Sequence, residues 1–137
     1  MSETMTALVV EPGKRPYIKE IPMGLKSLQR EVGGYIEAIY PFPEPVAIVC
    51  RETGKLDGCP LNRALRDETS TIYDIIAGTF LVVGLTEEDF CSLSPELLQA
   101  FTQRFWKIFG AADSIRRKRW FLRIPSTGRS TGKSQRT

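Results

Sequence analysis

The stretch Phe80-Leu-Val-Val83 is apolar at every position, and this constrains the fold more than any other part of the chain. A strand covered on one face alternates apolar and polar residues, because successive side chains point to opposite sides. A run without alternation belongs to a strand buried on both faces. Together with residues 72–76 and the flanking positions 79–85, it forms the most apolar region of the sequence. Residues 75–85 are interrupted by Gly78, Thr79 and Gly84 and fall short of the roughly 18 apolar residues that a membrane span requires. They predict a core strand, and no membrane association is expected.

Shorter elements are legible on either side. Residues 6–10 are apolar and rich in β-branched side chains, and residues 11–16 follow with two prolines and a glycine, which predicts a strand and a turn. A second strand is expected at residues 17–21. Its alternation is imperfect, with Tyr17, Lys19 and Ile21 opposed to Ile18 and Glu20, which places it at or near a sheet edge. Leu25, Leu28 and Val32 share a helical face, and Gly33-Gly34 closes that helix. Strands are expected at residues 35–40 and 46–52, separated by Pro41-Phe-Pro-Glu-Pro45.

A tight turn at residues 53–55 should lead to a short return segment near Leu56. Residues 60–65 read as a turn or short helix, and residues 67–71 as a polar loop. Thr86-Glu-Glu-Asp89 has the form of a helix N-cap with acids in the first turn. Ser94-Pro95-Glu96 is a stronger one, opening a main helix that carries Leu97, Leu98, Phe101, Phe105, Ile108 and Phe109. The order predicts an α+β class: a small antiparallel or mixed sheet of about five strands, packed by two helices on one side.

Charge divides the chain. The formal net charge of +3 conceals a body, residues 1–110, with 11 lysines and arginines against 15 acids (−4). Residues 111–137 hold 8 cations against one acid (+7), so the pI of 8.9 belongs to this stretch. The organisation expected is therefore a single domain over 1–110 and a flexible basic tail over 111–137. The N-terminal residues lack the basic and cleavage features of a secretory signal, and a cytoplasmic location is expected.

Catalytic equipment is sparse. The chain has no histidine, which removes Ser-His-Asp and Cys-His schemes and the commonest partner ligands of zinc. Cys50, Cys59 and Cys91 are odd in number and irregular in spacing, as expected of free structural thiols. Asp67, Glu68 and Asp74 are the nearest carboxylate cluster, but loop acids are ordinarily solvated. Thr131-Gly132-Lys133-Ser134 carries the last letters of a phosphate-binding loop without the strand before it or the helix after it. The expectation is a protein that is not an enzyme and has no catalytic residues, metal or cofactor.

Two groups are candidates for binding. Asn62, Arg63, Arg66, Tyr73 and Asp74 bring planar donors, a carboxylate and an aromatic ring near a core strand, a set suited to a small anionic nucleotide or to an ordinary ion-pair and capping network. In the tail, Arg116, Arg117, Lys118, Arg119 and Trp120 combine cations with an aromatic side chain, as nucleic-acid contacts do.

Three ordered motifs carry a resemblance: residues 25–40 (LKSLQREVGGYIEAIY), 60–67 (PLNRALRD) and 77–84 (AGTFLVVG). Over residues 6–105 the chain resembles the domain of unknown function 3846 family. The resemblance implies an accessory protein of phages and conjugative elements of Gram-positive bacteria. The Arg-Arg-Lys-Arg-Trp run departs from that pattern. A mobile-element setting, an acidic body and the lack of catalytic groups together suggest a stoichiometric counter-defence inhibitor of the anti-CRISPR or anti-restriction type, with a host defence protein or nuclease as partner. The alternatives are sequestration of an anionic nucleotide and nucleic-acid binding through the tail.

Overall fold

A computed structural model describes residues 3–108. Its elements are β1 (Thr4–Val10), β2 (Tyr17–Pro22), α1 (Leu25–Val32), β3 (Ile36–Ile39), β4 (Val46–Arg51), β5 (Leu61–Arg66), β6 (Ile72–Ala77), β7 (Phe80–Leu85), β8 (Phe90–Cys91) and α2 (Pro95–Arg104). The class is α+β. The main sheet runs β2-β1-β7-β4-β3, every neighbour antiparallel, with the short β8 added on β7. A separate two-stranded sheet joins β5 to β6.

The most apolar strand takes the centre. β7 lies between β1 and β4, joining the N-terminal hairpin to the β3–β4 hairpin, and Phe80 to Val83 are each 0% exposed. Side-chain alternation then sorts the three central strands into two cores. On one face Leu8 and Val10, Val46, Ile48 and Cys50, and Phe80 and Val82 pack under Phe101 and Phe105 of the α2 region and under Leu65 and Ile76 of the β5–β6 hairpin. On the other, Met5, Ala7 and Val9, Ala47 and Val49, and Leu81 and Val83 pack under Leu28 and Val32 of α1.

The two helices thus cover opposite faces, whereas the order of elements had suggested one. A strand apolar at every position cannot leave either face to water, and here each helix answers one side of β7. The second correction concerns residues 60–65. Leu61 and Leu65, four apart, imitate a helical turn, but the segment pairs with β6 as β5. Thr86 also starts no helix: its hydroxyl accepts from the N–H groups of Glu88 and Asp89, 3.3 and 3.0 Å away, and shapes the turn into β8. The stretch around Leu56 is a turn with Leu56 exposed, rather than a return strand.

α2 begins as its sequence dictates. Ser94 accepts from Leu97 N–H at 3.3 Å, Pro95 occupies the first turn, and Glu96 lies at the positive end of the helix dipole. It ends at Arg104, earlier than the apolar spacing through Ile108 implied, and Phe105 turns inward as its C-cap. Phe42, from the proline-rich loop, closes this core with ring centroids 4.9 Å from Phe101 and 6.2 Å from Phe105. Gly84 serves the opposite end of the sheet, because a Cβ there would lie 2.6 Å from the Ser92 carbonyl oxygen where β8 folds over β7.

Candidate functional site

The five residues singled out between Asn62 and Asp74 all fall on the β5–β6 hairpin, but the fold separates them. The register steps from Leu61↔Ala77 to Arg63↔Ile76, a bulge that sets two residues of β5 against one of β6. In a regular strand Asn62 and Arg63 would face opposite ways. With the bulge both are buried, at 0% and 3% exposure.

Their bonds reach across the fold. Asn62 Nδ2 donates to the carbonyls of Val10 (2.8 Å) and Gly78 (2.9 Å). Its Oδ1 accepts from Arg63 Nη1 at 2.7 Å. Arg63 Nε donates to Phe105 O at 2.8 Å and Nη2 to Lys14 O at 2.6 Å. The pair therefore ties the end of β1, the β1–β2 turn, the β6–β7 turn and the C-terminus of α2 into one knot.

Among the described residues no carboxylate forms an ion pair with Arg63. Carbonyl dipoles take that part, including the negative end of α2. Burial, and next the neighbouring Arg15, pull the guanidinium below its ordinary pKa, though an arginine remains charged at neutral pH. Arg15 itself donates to Trp106 O and stacks on the Trp106 ring, 4.8 Å from its centroid.

Arg66, Tyr73 and Asp74 lie toward the outer end. Arg66 Nη1 donates to Ser70 O at 3.0 Å, and Asp74 meets Lys55 Nζ at 2.6 Å. Tyr73 is about half exposed, and burial followed by the charge of Asp74 raises its pKa. Asp67 accepts from Thr69 and Thr71, which holds its carboxyl below the ordinary value and fixes the tight turn in which Ser70 adopts a left-handed φ of 66°. A general acid needs a raised carboxyl pKa, and Asp67 moves the other way. Burial, with Glu37 and Asp74 adding to it, pushes the Cys50 thiol up to about 12, which suppresses the reactive thiolate. The tail candidates Arg116, Arg117, Lys118, Arg119 and Trp120 lie outside the described residues.

A different surface emerges between α2 and the sheet edge: a groove of about 640 Å³ lined by Ile18, Pro95, Leu98, Gln99, Thr102, Gln103 and Trp106. Ile18 is 57% and Trp106 48% exposed. Its sequence signal was the imperfect alternation of residues 17–21, which put Ile18 on an open edge, but the groove exists only because α2 lies beside that edge. β2 has β1 on one side and nothing across its other edge among the described residues. No described helix is long and apolar enough to cross a membrane, and no described cluster of three acids or cysteines is arranged to hold a metal.

These features define an antiparallel α+β domain with a buried polar knot and an apolar groove beside an open strand. The chain belongs to the family described as Domain of unknown function (DUF3846), which it matches over residues 5–106. No curated protein and no solved structure matches it.

Proposed function

We propose that this domain is a non-enzymatic binding protein that takes a partner protein along β2 and the adjoining groove. The observation that carries this reading is the meeting of a strand edge unpaired among the described residues, Tyr17–Pro22, with the exposed side chains of Ile18 and Trp106 and the half-buried Leu98. An extended segment added to β2 gains backbone hydrogen bonds, and its alternate side chains enter the groove. The engagement of Asp67 and Asp74 in local bonds, the raised Cys50 thiol and the lack of histidine support a binding role over a catalytic one.

The setting implied by the family resemblance makes a host defence nuclease the first partner to test, with this protein as its stoichiometric inhibitor. The net −4 body suits a basic partner surface. Co-purification with host lysate and mass spectrometry would name the partner, and cleavage by the purified nuclease would then be titrated with this protein. Inhibition should saturate at equimolar ratio and be lost in Ile18→Asp. Inhibition at far below equimolar protein would indicate turnover and overturn the binding reading.

A further inference from the structure

We propose that the groove between α2 and β2 is the docking site for this chain's own residues 115–124, with Trp120, Phe121 and Leu122 laid against Ile18, Leu98 and Trp106. The first support is the length of chain that follows the groove. The described residues end at Ile108, two beyond Trp106, which itself lines the groove. The residues between Ile108 and Trp120 can extend to roughly 35–40 Å, whereas α2, ten residues long, spans only about 15 Å. The segment can therefore turn back and run the full length of the groove.

Composition supplies the second support. Ile115, Trp120, Phe121, Leu122 and Ile124 make the segment rich in apolar side chains to match a groove in which Ile18 and Trp106 stand largely open to water. The aromatic pair alone offers a large apolar area at a low entropic cost.

Charge gives the direction. At the exit end Arg15 stacks on Trp106 and Lys107 follows it in sequence; at the far end Glu96 follows Pro95, and Glu20, which accepts from Thr4 and Thr6, lies two residues along β2 from Ile18. A segment that first crosses to the far end brings Arg116, Arg117, Lys118 and Arg119 to the acids there, and Trp120, Phe121 and Leu122 then run along the groove parallel to α2 toward Trp106. Because the tether is short, docking is intramolecular at an effective concentration in the range of about millimolar, so even modest contacts hold it. The proposal does not rest on the partner reading. If a partner also uses the groove, it does so by displacing this segment.

The chain has two tryptophans, so the full-length Trp106→Phe variant reports on Trp120 alone. Its emission should be blue-shifted and resistant to acrylamide at all protein concentrations. Adding Ile18→Asp in the groove, or Phe121→Asp in the segment itself, should each red-shift it and raise quenching several-fold, and high salt should weaken the shielding. Solvent-exposed emission without these changes would overturn the proposal. So would shielding that survives both changes, and shielding that appears only as concentration rises would assign the groove to a second copy of the chain.

Discussion

Each end of the β5–β6 hairpin carries an arginine, and the two do different work. At the inner end, Asn62 and Arg63 are sealed from water and bond to backbone groups or to each other. At the outer end, Arg66, Tyr73 and Asp74 are exposed or half-buried, with Arg66 bonded to a turn carbonyl and Asp74 to Lys55. An arginine is an exposed surface side chain at one end and part of a structural knot at the other. The cost of leaving a buried carbonyl unpaired is what separates them.

The sharpest way to break this contrast is to remove the buried cation. Arg63→Ala strips the partners from Phe105 O, Lys14 O and Asn62 Oδ1, and should cost about 3 kcal/mol or more in urea unfolding. Arg63→Lys should recover only part of it, because an ammonium cannot reproduce the guanidinium fork. A loss below about 1 kcal/mol would show that the knot relaxes freely.

Asn62→Ala should cost somewhat less, about 2 kcal/mol, by leaving Val10 O and Gly78 O unpaired. The double variant should cost less than the sum of the two, since Asn62 Oδ1 is one of the acceptors of Arg63. Additive costs in that cycle would mean that the two residues act separately.

Acid distinguishes the two ends further. Asp67 titrates below its ordinary 3.8 when folded, so its contribution is present above that value and is lost as pH falls through the folded pKa. The stability difference between the native chain and Asp67→Ala should therefore shrink as pH drops below 3.8. The Arg63→Ala difference should hold through the same range, because its bonds run from a permanent cation to carbonyls. Unfolding curves at several pH values decide this.

The smallest effects belong to Arg66→Ala and Tyr73→Ala, which should change stability by no more than about 0.5 kcal/mol. If these residues hold an anionic nucleotide, a thermal-shift screen should show stabilisation that both variants remove. Stabilisation that also requires Arg63 would return the inner end to the site.

Much of the fold was legible where the local signal was strong. The glycine pair after Val32 closes α1, with Gly33 at φ 83°, and Ser94-Pro95 opens α2. The edge position of β2 followed from its poor alternation. β5 was not legible, because Leu61 and Leu65 satisfy helical spacing and the bulge at Asn62 breaks the strand pattern that would have corrected it. The five candidate residues were legible as neighbours and share one hairpin, but sequence proximity does not report which of them water reaches.

The sequence by itself determined the elements whose causes are local, and the demand of Phe80-Leu-Val-Val83 for cover on both faces. It also determined the division of charge between body and tail, which depends on nothing but residue order. Only the tertiary structure decided how the two-faced demand of β7 was met, by sending α1 and α2 to opposite sides. Only it turned Asn62 and Arg63 inward and opened a groove beside β2. Each of these depends on contacts between residues far apart in the chain, whose geometry is set by packing the whole domain and has no signature in any one segment.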